Sequence, residues 1–382
     1  MVGGGEGAFI GAVHRMAANL DGAIELVCGA FSSDPERCVR SGAALFLPPD
    51  RVYSSYEEMF AAEKNLPVGE RMDFVSIVTP NHVHYAPAYL ALKNGFHVVV
   101  DKPMTFNLDE ALALQDLVKQ TGLLLCVTHT YSGYPMVKQA RSMINAGKLG
   151  PIRKVIVQYP QGWLSRLSEA EGNKQASWRT DPARSGKSGA MGDIGTHAAH
   201  LAEYMTGLKI TELCADLSTF VPGRLLDDDG NVLLRFDNGA KGVLIASQIA
   251  AGEENALQMQ VYGEDGGLIW KQEEPNTLTV KWLDRPQQVY RTGNQYAAPD
   301  SMHVAAQLHT RIPSGHPEGM IEAFANIYRN FALTVSAGLD GESSLDEALD
   351  FPTVDDGVRG MRFIDAVVKS SQSDQKWIEV SQ

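Results

Sequence analysis

An acid and two imidazoles follow a run of small residues in the stretch GAMGDIGTHAAH, residues 189–200. Asp193, His197 and His200 stand four and three positions apart, so a helix that starts near Asp193 would carry all three side chains on one face. Three roles fit this pattern: ligands of a metal ion, an acid and a base acting on a substrate, or polar groups on an ordinary helix. The spacing alone does not choose among them.

A metal site is the weaker of these alternatives. Helices that bind zinc usually carry two histidines four residues apart in a His-Glu-x-x-His pattern, whereas His197 and His200 are three apart. The cysteines form no Cys-x-x-Cys pair, which predicts reduced thiols rather than a zinc site or a disulfide framework. They are Cys28, Cys38, Cys126 and Cys214. We therefore predict that the protein holds no metal ion.

The N-terminus carries a glycine-rich loop. Residues 3–8, GGGEGA, fit the pattern G-x-G-x-x-[GA] with Gly3, Gly5 and Ala8, and a helical pattern that opens with Phe9 and Ile10 follows. In a dinucleotide-binding unit the first glycine makes a tight turn, the second lets the backbone approach the pyrophosphate, and the third small residue packs the helix on the strand. Only two residues precede the glycines, fewer than a typical strand of about five, which leaves open whether further residues come before them.

The choice between NAD and NADP depends on the end of the second predicted strand, which reads AFSSDPER. An acid there binds the ribose 2′-hydroxyl of NAD. If Ser32 takes that place, the missing carboxylate, with Ser33 and Arg37 close by, favours NADP or the use of both cofactors. The alternative is that Asp34 supplies the acid, or that Ser32 caps a turn.

The elements that position these residues change character along the chain. Residues 1–130 alternate apolar strands with helices and predict a doubly wound parallel sheet of the α/β class. The predicted strands are 24–31, 73–80, 96–103 and 123–129, and the helices between them are 84–95 and 107–122. The glycine-rich loop stands at the start of this Rossmann domain.

Residues 131–382 predict a second domain of the α+β class with an open, mainly antiparallel sheet, because strands here are joined by Asn-Gly and Asp-Gly turns. The predicted strands lie within 154–160, 231–248, 257–272 and 278–282, and the helices lie near 193–206, 317–337 and 355–370. The last helix is a candidate to pack back on the first domain.

Composition narrows the partner to a small molecule. The chain has 382 residues, 44% apolar and 21% charged, and its net charge is −13 without a block of Lys or Arg. Nucleic acid and anionic membranes both require a positive surface, so neither is expected as a partner. The sequence shows no secretory leader and no apolar run of membrane length, so we expect a cytoplasmic protein.

Three further motifs follow the glycine loop in order: TPNHVH at 79–84, DKP at 101–103 and GDIGTHAAH at 192–200. In this order they resemble the Gfo/Idh/MocA family of NAD(P)-dependent oxidoreductases. The resemblance implies a Rossmann domain followed by a substrate-binding and oligomerisation domain, and a dimer or tetramer formed through the open sheet. It also implies transfer of hydride between the cofactor and a secondary hydroxyl of a sugar, sugar derivative or cyclic polyol.

The resemblance also assigns roles to particular residues. Lys102 matches the catalytic lysine of the family's Glu-Lys-Pro motif, although Asp101 replaces the glutamate that contacts the cofactor ribose. Asp193 and His197 match the family's Asp-x-x-x-His pair, in which the histidine is the general acid or base and the aspartate helps to hold substrate. The residues implied to line the nicotinamide end of the cofactor are Thr79, Pro80, Asn81 and His84.

The same roles follow from the chemistry of alcohol oxidation. The reaction requires a base to take the hydroxyl proton and a cation to stabilise the developing alkoxide. His197 suits the first role and Lys102 the second, and Asp193 can orient either of them. Weaker candidates for contact with substrate are His129, Tyr131, Trp178, Arg179 and His200.

Two other functions remain open from the sequence. A glycoside hydrolase that keeps its NAD bound would oxidise, eliminate and re-reduce with no net redox change. A dinucleotide-sensing regulator without catalysis is the second. Such a regulator can dispense with the lysine and the histidine, so the joint presence of Lys102, Asp193 and His197 argues against it.

Overall fold

The chain folds into two units, and the computed structural model describes residues 1–342 and 350–380. Unit 1 comprises Met1–Thr128 and Phe324–Val358, and unit 2 comprises His129–Ala323 and Arg359–Gln382.

The elements of unit 1 that precede residue 128 are β1 (Val2–Gly3), α1 (Phe9–Asn19), α2 (Pro35–Ala44), α3 (Tyr56–Glu63), β2 (Phe74–Val78), α4 (Tyr85–Lys93), β3 (His97–Val100), α5 (Leu108–Thr121) and β4 (Leu125–Val127). The sheet is parallel throughout, with strand order β1-β2-β3-β4. Helices alternate with these strands, so the predicted Rossmann architecture is confirmed.

The predicted strand at 24–31 is wrong for most of its length. Within it, only Gly29 and Ala30 form single parallel bridges, to Val52 and Val2. The reason is that β1 has two residues, so no ladder forms beside residues 24–28.

A cavity of about 740 Å³ lies beside residues 24–28, at the amino ends of β1 and β2. Open parallel sheets bind ligands at the carboxyl ends of their strands, so this cavity is not the cofactor site.

Local signals place the helices accurately. The Asn107 side chain accepts a hydrogen bond from the backbone amide of Glu110 (3.0 Å), and the Glu110 carboxylate accepts one from the amide of Phe106 (3.0 Å). This reciprocal capping starts α5. Gly122 ends the helix in the left-handed conformation at φ 69°.

Unit 2 is built on a mixed sheet. Its elements are α6 (Pro135–Asn145), β5 (Lys154–Pro160), α7 (Lys174–Arg179), α8 (Pro182–Ser185), α9 (Thr196–Thr206), β6 (Ile210–Ser218), β7 (Asp229–Phe236), β8 (Lys241–Ser247), β9 (Gln258–Tyr262), β10 (Gly266–Lys271), β11 (Thr277–Trp282), β12 (Gln288–Arg291), α10 (Val304–Leu308) and β13 (Ile378–Glu379). Helix α11 (Met320–Leu339) belongs mostly to unit 1, and helix α12 (Val354–Ser371) starts in unit 1 and ends in unit 2. The strand order is β12-β11-β10-β9-β5-β8-β7-β6-β13, and every pair is antiparallel except β5 with β8, which run parallel. The prediction of a mainly antiparallel sheet is confirmed, but it missed β6, β12 and β13.

The core of unit 2 lies on the face of this sheet that α6 and α9 cover. Alternate residues along β5, β8 and β10, such as Val157, Leu244 and Trp270, are completely buried there. The four cysteines are unpaired. Among the described residues, no helix combines the length and the apolar character needed to cross a membrane.

Candidate active site

The glycine loop of unit 1 leaves room for a dinucleotide. Gly3 and Gly7 have positive φ, 78° and 77°, which only glycine adopts readily. A Cβ atom at Gly3 would lie 2.9 Å from the Thr79 side chain, whereas one at Gly7 would meet no atom within 4 Å. The loop therefore turns tightly against the neighbouring strand and is open on its other side. Ala8 then precedes α1, whose first turn contains exposed Phe9 and no acid.

The closest contact between the loop and α1 involves a residue that the motif did not include. A Cβ at Gly11 would lie 2.3 Å from the Cα of Gly4. We assigned the small residue that packs the helix to Ala8, but Gly11 makes this packing in the structure. Unpaired amides at the start of α1 and the bare glycine backbone fit the pyrophosphate of NAD.

Asp34 is the N-cap residue of α2. Its carboxylate accepts a hydrogen bond from the Arg37 amide at 3.0 Å and starts α2, and the Asp34 amide donates to the Ser32 hydroxyl at 3.1 Å. Ser33 and the Arg37 side chain are exposed beside them. The end of the segment therefore offers hydroxyls and a guanidinium, and the Asp34 carboxylate already has a structural role.

His84 ties together the two loops that follow β2 and β3. Its ring nitrogens lie 2.8 Å from the carbonyl oxygens of Thr79 and Pro103. Burial lowers the pKa of His84, so the neutral imidazole donates to one carbonyl at a time. Pro80 and Asn81 complete the first of these loops. The motifs TPNHVH and DKP, which the sequence treats separately, thus meet within unit 1.

Asp101 points into unit 1. Its carboxylate accepts hydrogen bonds from the Lys102 amide and the Thr128 hydroxyl, both at 2.9 Å, and lies 3.8 Å from the imidazole of His14. Burial alone would raise the pKa of Asp101, but the neighbouring His14 and the Lys102 ammonium outweigh it and hold this pKa below its ordinary value. Lys102 follows directly at the carboxyl end of β3.

The acid and imidazole predicted in unit 2 lie on one continuous helical segment, residues 191–206, which we call the acid–base helix. It begins with a wide π turn at Met191–Gly195 and continues as α9. The Asp193 carboxylate, in the π turn, accepts hydrogen bonds from the Gln248 side chain (2.9 Å) and from Arg179 (3.2 Å). π turns occur often at functional sites. The sequence predicted a regular helix from Asp193 and did not foresee the wide turn.

His197 is packed between aromatic rings. Its own ring meets Tyr131 edge-on at a centroid distance of 4.9 Å and His129 at 5.6 Å. His197 is 9% exposed and His129 is 2% exposed, so both imidazoles are held in place by packing. The sequence candidates His129, Tyr131 and His197 therefore form one cluster.

His200 lies behind this cluster. It stacks on His129 at 4.2 Å and on Tyr204 at 5.9 Å. Burial, followed by the charges of His197, Lys209 and Arg141, lowers the pKa of His200 to about 3. His200 is therefore a neutral stacking partner at physiological pH, whereas Asp193 pairs with groups on other elements.

Trp178 and Arg179 stand on α7. The guanidinium lies 4.2 Å from the Trp178 ring and 5.9 Å from the ring of Trp163. The chain here is helical, because α7 ends at Arg179 and α8 follows at Pro182–Ser185. Arg179 therefore stacks on Trp178 and forms an ion pair with Asp193. The guanidinium covers one face of the Trp178 ring, so that face is not open to a substrate.

Several polar residues of this site were missed by the sequence analysis. Gln161 donates to the Asn255 side chain at 2.7 Å, as does the Tyr159 hydroxyl, which also contacts the Tyr131 hydroxyl. Burial raises the pKa of Tyr131 and of Tyr159, which keeps both phenols neutral. Together with Gln248 they make a cluster of uncharged hydrogen-bonding groups.

Two of these residues could have been found from the sequence, because polar side chains directly after neighbouring strands meet at the ends of those strands. Gln161 directly follows β5 and Gln248 directly follows β8, and these strands pair in parallel with Pro160 opposite Ser247. The two glutamines therefore reach the same edge of the sheet.

Within the part of the chain that the structure describes, no three His, Cys, Asp or Glu side chains group as a metal site would need.

A glycine loop at the start of a parallel sheet, followed by a unit built on a mixed sheet, is the arrangement of an NAD-binding Rossmann domain joined to a second domain. Residues 1–129 match the NAD-binding Rossmann fold of the oxidoreductase family GFO/IDH/MocA, and residues 137–269 match a GFO/IDH/MocA C-terminal domain. The chain belongs to the Gfo/Idh/MocA family, as its motifs predicted.

Similar proteins match most or all of the chain. The uncharacterized oxidoreductase YfiI of Bacillus subtilis is 34% identical over 99% of this chain and 95% of its own length. Levoglucosan dehydrogenase of Pseudarthrobacter phenanthrenivorans is 28% identical over 81% of this chain and 80% of its own. An inositol dehydrogenase homolog from Azotobacter vinelandii, solved with NAD⁺, has a TM-score of 0.94 at 36% identity and covers 99% of this chain and 96% of its own. A structure of this homolog with NADH and myo-inositol has a TM-score of 0.91.

Proposed function

We propose that this oxidoreductase transfers hydride between NAD(P) and a secondary hydroxyl of an uncharged sugar or cyclic polyol. The proposal rests on the Asp193 carboxylate, which lies on the same helical segment as His197. This carboxylate accepts hydrogen bonds from Gln248 and Arg179. The surrounding groups are neutral phenols and amides, and the Arg179 charge is balanced by Asp193. Such groups suit hydroxyls better than phosphates. Myo-inositol, bound in the Azotobacter structure, is a compound of this kind.

His197 is the proposed base. Its ring is fixed by Tyr131 and His129, so one nitrogen can be held toward a substrate hydroxyl and take its proton. Asp193 accepts a hydrogen bond from a second hydroxyl and orients the ring of the substrate. The Lys102 ammonium stabilises the developing alkoxide. The nicotinamide, when bound, takes the hydride from the carbon.

The test follows absorbance at 340 nm with myo-inositol, levoglucosan and D-glucose, using NAD and NADP separately. We expect a rise that falls by about 10²- to 10⁴-fold in His197→Ala, because a positioned base contributes about that factor. Lys102→Ala should also lose turnover. The exposed His316 offers a control, since His316→Ala should retain the wild-type rate.

Other results would contradict the proposal. Cleavage of a glycoside without net reduction of the cofactor would identify the NAD-retaining hydrolase. Nucleotide binding with no turnover of any substrate would identify the dinucleotide sensor. No observation on this chain favours either of these functions over the dehydrogenase.

We further propose that NADP is accepted as well as NAD and is slightly preferred. The support is that Ser32, Ser33 and Arg37 stand where a carboxylate would repel the 2′-phosphate, and that Asp34 is engaged in capping α2. The Azotobacter homolog described above was solved with NAD⁺ and with NADH. A strict preference of this protein for NAD would contradict this part of the proposal.

A homodimer or homotetramer through the uncovered face of the large sheet is also proposed. Neighbouring strands align a mostly apolar row across this face: Leu233, Val243, Ile156, Gln260, Ile269, Thr279 and Val289. Leu233 is 47% exposed and Val289 is 45% exposed. Light scattering should give a multimeric mass that Leu233→Asp reduces.

We place the protein in the cytoplasm, because its thiols are unpaired.

A further inference from the structure

Three consecutive backbone amides, from two residues before the acid–base helix to its first residue, donate hydrogen bonds to one residue, Asp227. The amides of Gly189 and Met191 donate to its two carboxylate oxygens, each at 2.8 Å. The amide of Ala190 between them donates to the Asp227 carbonyl, also at 2.8 Å. The first amides of a helix have no partner within it, so an acceptor here fixes where the helix begins.

The contact extends into the π turn through Ser188. Its hydroxyl donates to Asp227 at 2.7 Å and accepts a hydrogen bond from the Gly192 amide at 3.0 Å. The two segments are also packed closely, because a Cβ at Gly189 would lie 2.2 Å from the Asp227 carbonyl oxygen. Asp227 therefore holds the turn that contains Asp193 by hydrogen bonds and by close packing.

The loop that contains Asp227 is also connected to Asp193 through Gln248. The backbone carbonyl of Asp228 accepts a hydrogen bond from the backbone amide of Gln248 at 2.9 Å. The Gln248 side chain in turn donates to Asp193 at 2.9 Å. Both the helix that carries Asp193 and the side chain that binds it are thus anchored to adjacent residues of one loop.

We propose that Asp227 is a positioning residue for the reaction, which fixes the π turn so that Asp193 and His197 meet the substrate in a productive arrangement. This inference rests on the proposed roles of Asp193 and His197. Asp227 does not touch substrate in this scheme. A displacement of a reacting group by about 1 Å costs roughly 10²-fold in rate, so the anchor acts mainly on kcat.

The test compares two neighbouring carboxylates. Asp227→Asn keeps one acceptor oxygen and replaces the other by an NH2 group, so the side chain can no longer accept from the amides of both Gly189 and Met191. Asp228→Asn is the matched control, because it leaves in place the Asp228 backbone carbonyl that binds Gln248. The Asp228 carboxylate itself binds the amides of Phe220 and Val221 and the Arg224 side chain, all within its own loop. We expect kcat with myo-inositol to fall about 10- to 100-fold in Asp227→Asn and less than about 3-fold in Asp228→Asn, with the Kd for NADH unchanged in both. Equal losses of kcat in the two variants would overturn the proposal.

A second variant and a second readout keep the test decisive. Ser188→Ala removes the hydroxyl that links Asp227 to Gly192 and leaves the Asp227 carboxylate in place. It should lower kcat in the same direction, so it serves if Asp227→Asn does not fold. NMR of ¹³C-labelled histidine should show a shifted imidazole signal of His197 in Asp227→Asn but not in Asp228→Asn. An unchanged signal would overturn the positioning role. This readout needs no turnover, so an inactive wild-type protein would count against the proposed function alone.

Discussion

The Asp101 carboxylate lies 3.8 Å from the imidazole Nε2 of His14, and this contact joins the residue before the proposed catalytic lysine to helix α1. His14 is completely buried, and its other nitrogen lies 2.6 Å from the Tyr328 hydroxyl. Tyr328 in turn lies 2.7 Å from the hydroxyl of Ser76. A buried polar chain thus runs from β2 to the start of the DKP motif.

Removal of His14 should destabilise unit 1. In His14→Phe the partly buried carboxylate of Asp101 and the buried hydroxyl of Tyr328 each lose a partner. We expect the free energy of unfolding to fall by about 2–3 kcal/mol, measured by urea denaturation, because a buried polar group without its partner is costly. Asp101→Asn in the same background should recover part of this loss. A change below about 0.5 kcal/mol would show that the contact contributes nothing.

An acid at position 32 should alter the choice of cofactor. Ser32→Asp places a carboxylate where it repels a 2′-phosphate and accepts hydrogen bonds from a ribose 2′-hydroxyl. We expect kcat/KM for NADP to fall at least about 10-fold relative to that for NAD, since one such repulsion amounts to about 1.4 kcal/mol or more. Steady-state kinetics with both cofactors measure the ratio.

The control for this change is Asp34→Ala, which removes the side-chain acceptor that caps α2. It should lower the melting temperature without altering the cofactor ratio by more than about 2-fold. A ratio that changes equally in both variants would mean that Asp34, rather than position 32, faces the ribose.

Gly11 should tolerate no side chain. The methyl group of Gly11→Ala would lie 2.3 Å from Gly4, so α1 must move away from the glycine loop. We expect at least about 10-fold weaker binding of NADH by fluorescence titration and a loss of about 1–3 kcal/mol in stability. Gly360→Ala is the matched control, since a Cβ there meets no atom within 4 Å in α12. That variant should gain about 0.4–1 kcal/mol.

His200 should make the stability of the protein depend on pH. Its pKa is about 3 in the folded chain, against an ordinary value of 6.5, so the unfolded chain binds more protons between these pH values. Stability should therefore fall as the pH is lowered from about 6.5, by up to about 1.4 kcal/mol per pH unit from this residue. His200→Phe keeps the stack on His129 and Tyr204 and should flatten the dependence.

Urea denaturation of both proteins at pH 7, 6 and 5 measures this slope. A slope in His200→Phe equal to that of the wild type would mean that other groups account for the loss of stability in acid.

The sequence by itself determined the features that depend on neighbouring residues. The Asn107 and Glu110 capping of α5, the end at Gly122 and the strands β2 and β5 were all predictable, because caps and apolar runs act over a few positions. The ordered motifs also identified the family, and with it the Rossmann fold and the oxidoreductase activity.

The tertiary structure decided which distant residues meet. An antiparallel pair would send Gln161 and Gln248 to opposite edges of the sheet, and only the parallel pairing of β5 with β8 brings them to one edge, where Gln248 reaches Asp193. The π turn likewise depends on Asp227, which lies 36 positions along the chain from Met191. Strand direction and such anchors are set by packing between distant segments, and no local pattern of residues encodes them.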